Sequence, residues 1–257
     1  MRVRRFSTGR VRRKRAPSGV RRYFSQDWGD ETLPVNVFLV EHPQGLCLFD
    51  TGQTARAARP GYFPSWYPFF RLSRFELTAE EEIDSQLVAA GYAVGDVRWV
   101  VLSHLHTDHV GGVDAFSSAE VLVSQTEWKR AQGLEGRLRG YLPQYWPQEV
   151  APDSVAFAGP AVGPFPHSHD IVGDGSLVLV PTPGHTAGHM SLLVSDGSRS
   201  YLLGGDVAMS GEDLAGTAPQ IAEFCAQEGI AFLASHDDGA SELLAPKTTE
   251  APREGPL

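Results

Sequence analysis

The run Val97-Arg98-Trp99-Val100-Val101-Leu102-Ser103-His104-Leu105-His106-Thr107-Asp108-His109 decides how the rest of the chain reads. Its β-branched and aromatic first half predicts a buried strand over Val97–Leu102. That strand delivers the chain to three imidazoles and a carboxylate within six residues, followed by Gly111-Gly112. Extended geometry sends His104 and His106 to the same side. The turn after them brings Asp108 and His109 round toward the same point. Imidazole and carboxylate together suit zinc and similar divalent ions, with ligand distances of about 2.0–2.2 Å. The cluster holds more ligands than one tetrahedral ion takes while keeping a position open for water, and the surplus points to two metals.

Further ligand-type residues stand downstream, each at the end of an expected strand: His185 in Pro183-Gly184-His185, Asp206 in Gly204-Gly205-Asp206, and His236 in Ser235-His236-Asp237. Glycines beside ligands let the backbone turn sharply and approach an ion closely. A lone histidine on an apolar strand is more often a satisfied core residue; seven ligand-type side chains recurring at strand-to-loop junctions are not a coincidence of that kind.

Outward from these residues, Val35–Glu41 and Leu46–Phe49 read as a hairpin around His42-Pro43-Gln44-Gly45, ending in Asp50-Thr51-Gly52. Residues 55–77 are rich in aromatics and prolines, too irregular for a helix and too apolar for a free loop, and predict a lid or a wall. Thr78 and Glu81 form a capping-box pattern opening a helix with Ile83, Leu87 and Val88 inward and Gly91 as its stop. Strands follow at 121–123, 177–182, 190–195, 201–203 and 230–234, with helices near 126–132 and 219–227. Two β-rich halves with helices outside predict an α/β layered body, a four-layer αββα sandwich. The division expected is a basic N-terminal arm or edge strand over 1–34, one catalytic domain over 35–245 and a frayed tail over 246–257.

The net charge of −9 hides an asymmetry. Residues 1–22 carry ten of the 22 Lys and Arg and no acid, while the remainder sets twelve against all 31 acidic groups. The arm suits an Arg-rich edge strand whose charges block sheet-to-sheet association. Nucleic-acid binding is the lesser reading, because an acidic body repels the same phosphates. No apolar run reaches the ~20 residues a membrane span needs, and two cysteines, Cys47 and Cys225, form neither a metal knuckle nor a disulfide framework. A small-molecule substrate and a reducing, cytoplasmic setting are expected. His42, His167, His169 and His189 read as loop or structural histidines.

The motif HLHTDH, His185 in TPGHTAGH, Asp206 in GGDVAM, His236 in SHDD and the opening HPQGLCLFDTG resemble, in this order, the metallo-β-lactamase superfamily. The resemblance runs from about Val35 to Asp238. It implies one ion held by His104, His106 and His185, a second held by Asp108, His109 and His236, and Asp206 bridging the two together with a hydroxide. It implies two divalent ions, zinc first and Fe, Mn or Co as alternatives, with Asp50 bracing the ligands. Asp108 is then the catalytic carboxylate that orients the hydroxide and carries a proton to the leaving group. Within the superfamily the chain is most similar to the N-acyl homoserine lactone lactonases, which implies hydrolysis of a lactone or carboxylic ester. A thioester or phosphoester hydrolase and a mononuclear iron dioxygenase of the same fold remain open as alternatives. One departure stands out. Those lactonases place a tyrosine three residues after the bridging aspartate, where this sequence has Met209; Tyr62, Tyr67, Tyr141 or Tyr145 are candidates to supply a phenol instead.

Overall fold

The computed structural model describes residues 1–15, 25, 27–64, 67, 69–143, 146 and 153–244. Trp66, Tyr145, Arg21, Arg22 and the tail expected over 246–257 lie outside the described residues.

Twelve strands form two sheets among the described residues. They are β1 (Arg2–Lys14), β2 (Trp28–His42), β3 (Gly45–Phe49), β4 (Ser73–Glu76), β5 (Val97–Val101), β6 (Glu120–Ser124), β7 (Asp153–Val155), β8 (His169–Asp170), β9 (Leu177–Pro181), β10 (Met190–Ser195), β11 (Ser200–Gly205) and β12 (Ala231–Ala234). The first sheet runs β4-β1-β2-β3-β5-β6-β7 and the second β12-β11-β10-β9-β8.

Alternation of side chains along the strands builds the four layers. Phe38 and Val40 of β2, Phe49 of β3 and Val101 of β5 point between the sheets, where they meet Leu177, Leu179, Leu192 and Leu203. Their neighbours Val37, Leu39, Leu48 and Val100 point the other way, onto Ile83 and Leu87 of the helix Ile83–Ala89. On the second sheet Val178, Val180, Leu202 and Phe232 face outward onto Leu214 and Cys225, the latter on the helix Pro219–Glu228. The chain is therefore an αββα sandwich with three apolar seams. No helix among the described residues is long and apolar enough to cross a membrane.

Several elements differ from the sequence reading. Val88 is 62% exposed, not inward. Ile83 and Leu87 stand four apart on one face, and in a helix of only seven residues the next position turns away from it. The Arg-rich arm is a strand of 13 residues, but it lies one place in from the edge, because Ser73–Glu76 forms β4 and pairs with Arg10–Arg13. β2 already begins at Trp28, so it crosses the boundary expected at residue 34. The arm also does local work. Fully buried Thr8 donates to Val35 O at 3.2 Å and accepts from Gln53 N at 3.1 Å. Gly52, at φ +65, sits so close that a Cβ there would stand 2.0 Å from Thr8 Oγ1. The first strand thus locks the Asp50-Thr51-Gly52 turn.

Leu192 is fully buried between the sheets. Leu192→Ala is expected to lower unfolding stability by about 2–5 kcal/mol, the usual cost of a cavity at such a site, read as a shifted urea midpoint with an unchanged slope.

Candidate metal centre

Five strand ends deliver the candidate residues. β3 ends at Phe49 and leads into Asp50, and β5 leads through Leu102 and Ser103 to His104. The short helix Thr107–Val110 carries Asp108 and His109. His185 follows β9, Asp206 follows β11, and His236 follows β12.

Asp50 sets the frame. It is the one non-glycine residue with positive φ, +61°, among the described residues, a conformation that costs of order 1–3 kcal/mol unless the surroundings demand it. The surroundings do. Its buried carboxylate accepts from Ser103 N at 2.7 Å, Ser103 Oγ at 2.9 Å and His109 Nδ1 at 2.8 Å. Thr51 N donates to His109 O at 2.8 Å and Gly111 N to Gly52 O at 2.7 Å, so the turn clamps the helix bearing His109.

The side chains then fall into two groups around one carboxylate. His106 Nδ1 lies 3.0 Å from both His104 Nε2 and His185 Nε2. Nitrogens bound to a common tetrahedral zinc stand about 3.3 Å apart, so this triplet has the spacing of a ligand set. Asp108, His109 and His236 form the second group, with ligand-type atoms within 4.8 Å of one another. Asp206 lies between the groups. Its Oδ2 is 3.4 Å from His185 Nε2 and 4.0 Å from His104 Nε2, and its Oδ1 is 3.4 Å from both His109 Nε2 and His236 Nε2.

Hydrogen bonds on the far side of each ring fix which nitrogen faces inward. Pro34 O accepts from His236 Nδ1 at 2.8 Å, and Asp50 accepts from His109 Nδ1, so both rings turn Nε2 toward Asp206. His109 Nε2 and Asp206 Oδ1 are buried and make no hydrogen bond. Burial opposes charge on His109, yet Asp206 and Asp50 outweigh it and hold its imidazolium well above the usual range. Burial likewise opposes charge on Asp206, but His109 and His236 keep its carboxyl well below the ordinary carboxylate range. In the other triplet burial, reinforced by His185, pulls His106 down to about 4. Burial also pulls His104 well below its ordinary value, and two imidazoles held neutral there, with an ionised carboxylate shared between the groups, fit a pair of divalent ions. An isolated buried carboxylate oxygen would otherwise bear a large desolvation cost.

All seven candidate ligands thus come together, and Asp50 braces His109 directly. His167 and His169 join no such cluster among the described residues. Cys47 and Cys225 are buried, and burial pushes their thiols up to about 12 and about 11, which suits packing and not nucleophilic work.

Two residues support the cluster: Glu127, which the sequence reading missed, and His189, which it read as structural. Fully buried Glu127 accepts from Leu105 N at 3.1 Å, Thr186 Oγ1 at 2.8 Å and Gly188 N at 3.1 Å. It ties the His104–His106 loop to the loop that bears His185. Its only sequence signal is Ser124 three residues earlier, whose hydroxyl caps the helix Gln125–Ala131. His189 accepts from the backbone N–H of Asp206 at 3.1 Å through Nε2, so its Nδ1 donates to Thr182 Oγ1 at 2.8 Å. Gly205, at φ +56, leaves room for that ring; a Cβ would stand 2.7 Å from His189 Nε2.

A cavity of about 230 Å³ opens beside the cluster. Val11, Leu33, Phe69, Phe70 and Met209 give it an apolar lining, and Tyr67, Arg13 and Arg139 join the cluster residues on its polar side. The aromatic segment therefore divides its work. Tyr62 and Phe63 pack against Val11, Val35 and Phe75, while Tyr67 and Phe69 line the cavity. Of the tyrosines considered, Tyr67 reaches this space; Tyr141 is buried beside Glu127, and burial ahead of that carboxylate raises its hydroxyl pKa.

The family model of the metallo-beta-lactamase superfamily matches residues 30–248. Among relatives, an N-acyl homoserine lactonase AttM of Rhizobium radiobacter is 30% identical over 192 residues, covering 70% of this chain and 66% of that protein. A probable metallo-hydrolase of Mycobacterium tuberculosis is 35% identical over 183 residues, covering 68% of this chain and 56% of that protein. The matches thus span less than two thirds of these relatives' own lengths. A solved N-acyl homoserine lactone hydrolase with N-hexanoyl-L-homoserine at its catalytic metal centre superposes with a TM-score of 0.73 at 23% identity, covering 94% of this chain and 95% of that one. The dizinc lactonase AidC gives 0.59 at 18% identity, covering 91% and 86%. At these identities the superpositions speak for the fold.

Glu127→Gln keeps the shape but weakens an acceptor of three hydrogen bonds. It is expected to lower retention of added Zn2+ about 10–100-fold, the usual cost of losing a group that orients ligands, measured by competition with a chromogenic chelator.

Proposed function

The chain belongs to the metallo-beta-lactamase superfamily, and from that premise we propose that it is a metal-dependent hydrolase acting on the carbonyl of a lactone or carboxylic ester. The observation that carries the reading is Asp206, whose two oxygens each address a different group of histidines. In this proposal His104, His106 and His185 would hold one ion, Asp108, His109 and His236 would hold the other, and Asp206 would serve both. The names of the lactonase relatives support the choice of a lactone among acyl substrates.

Two divalent ions bound there, zinc being the best match to the donors, would supply hydroxide near neutral pH and a Lewis acid for the acyl oxygen. The chain's own residues do the rest. Asp108, with Oδ2 3.8 Å from His236 Nε2, lines the cavity and orients the attacking oxygen, then passes its proton to the leaving alkoxide. Tyr67 lines the same space, beside Gly140 and His106, and in this reading its hydroxyl faces the acyl oxygen in a cavity where Met209 offers no donor. Val11, Leu33, Phe69 and Phe70 exclude water and receive the apolar part of the substrate. A mononuclear centre would use the first triplet and leave Asp108, His109 and His236 gathered to no purpose, which favours the dinuclear reading.

Metal content by mass spectrometry, combined with turnover of acyl lactones, aryl esters, thioesters and phosphodiesters, tests this. Wild-type protein is expected to retain close to two ions and to favour the lactones or esters. His106→Ala and Asp206→Ala are each expected to lower kcat/KM by at least about a hundredfold with loss of bound metal, as removal of a ligand demands. Full turnover and unaltered metal in both variants would sink the assignment.

A further inference from the structure

Among the described residues four of the six arginines of β1 are committed through their side chains, while Arg2 and Arg13 are not. Arg4 pairs with Glu41 at 2.8 Å, Arg10 with Asp238 at 2.8 Å, and Arg12 with Glu76 at 2.7 Å. Arg5 donates to Asn36 Oδ1 at 2.6 Å. Beyond the strand, Arg15 pairs with Asp30 at 2.7 Å. The Arg13 side chain makes no hydrogen bond or ion pair among the described residues, yet it lines the cavity that holds His106, Asp108, His185, Asp206 and His236. Two residues apart on a strand, Val11 and Arg13 share a face, so the same register that sends Val11 into the cavity wall sends Arg13 there.

We propose that Arg13 determines specificity by receiving an anionic group, a carboxylate in its simplest form, that the substrate carries away from the scissile carbonyl. This rests on the hydrolase reading and narrows its substrate to an acidic ester or lactone. The chemistry is that of a planar guanidinium, whose fork matches a carboxylate through two parallel hydrogen bonds. Val11, Leu33, Phe69 and Phe70 line the same cavity and lower the local dielectric, which strengthens the attraction. Arg139, the other arginine of the cavity, is already held by Glu135 at 2.9 Å. The whole chain carries −9, so long-range steering does not favour anions. A preference for them has to come from a local cation.

The test uses the zinc-loaded full chain and two esters of equal length, the mono-aryl ester of adipic acid and its methyl-capped neutral analogue. The readout is the ratio of their kcat/KM values within each protein. Wild type is expected to favour the acid about tenfold, or about 1.4 kcal/mol, with the preference shrinking in 0.5 M salt as screening grows. Arg13→Gln should abolish the preference and Arg13→Glu should invert it. Arg2→Gln, the same charge change on the same strand but in a different groove, should leave the ratio as it was. Calorimetry with adipate and hexanoate supplies a readout without turnover: wild type binds the diacid more tightly, Arg13→Gln does not. No preference in wild type, a preference undiminished in Arg13→Gln, or equal losses in Arg13→Gln and Arg2→Gln would overturn the proposal. If neither ester is hydrolysed, the hydrolase reading fails on its own, and the calorimetry still decides the role of Arg13.

Discussion

Ligand-type atoms that face one another out of reach of water constrain this molecule more than any other feature. His109 Nε2 and Asp206 Oδ1 stand 3.4 Å apart, buried and without hydrogen bonds, and His236 turns Nε2 to the same oxygen. Such an arrangement is stable only with positive charge between or upon those atoms. The strong opposite pulls on His109 and Asp206 express that demand. Much of the surrounding structure serves to keep these atoms aimed. Asp50 takes the outer nitrogen of His109, Pro34 O that of His236, and His189 fixes the backbone of Asp206. Each acts from the side away from the cluster, so none competes for the inward-facing atoms.

Precision of this kind needs a stiff support, and the sandwich supplies it. The residues come from the ends of β3, β5, β9, β11 and β12, that is, from both sheets. Their relative placement therefore depends on the seam between the sheets, where Phe38, Phe49, Leu179 and Leu203 are fully buried. Close-packed interiors transmit small displacements, so a change in that seam moves one half of the cluster against the other. Glu127 adds a direct strap across the gap, bonding the loop after β5 to the loop after β9 without passing through the core.

The ligand-type residues were legible because each is chemically conspicuous and stands where an apolar run stops. The layered fold was legible for a related reason: β9, β10 and the Val35–Val40 part of β2 alternate or stay apolar, whatever the tertiary context. What stayed hidden depends on distance in three dimensions. Glu127 reads as an ordinary acid in the first turn of a helix, and only the approach of Gly188, where a Cβ would stand 2.1 Å from Glu127 N, reveals it as a strap. His189 opens a strand and looks structural; its bond to Asp206 crosses from β10 to the end of β11. The aromatic segment could not be assigned as core or lining because it is both, one residue at a time. Arg-rich β1 pointed to an edge, and the four residues of β4 that cover part of it carry too short a pattern to announce a strand.

The same strand shows how seven basic residues fit into one strand of an acidic protein. Arginines of this strand paired with Glu41 and Glu76 of the neighbouring strands and with Asp238 of the turn after β12 neutralise acids that would otherwise repel one another. Isolated exposed pairs stabilise little, but here they accompany a strand whose remaining side chains do specific work: Thr8 locks the turn at Gly52 and Val11 closes the cavity wall. Alternation makes the two duties compatible, since the paired arginines at 10 and 12 and the cavity residues at 11 and 13 occupy opposite faces. β1 is thus at once a support for the ligand-bearing turn and a wall of the cavity beside it. A displacement of the strand alters both together, which couples the shape of the substrate space to the geometry of the centre.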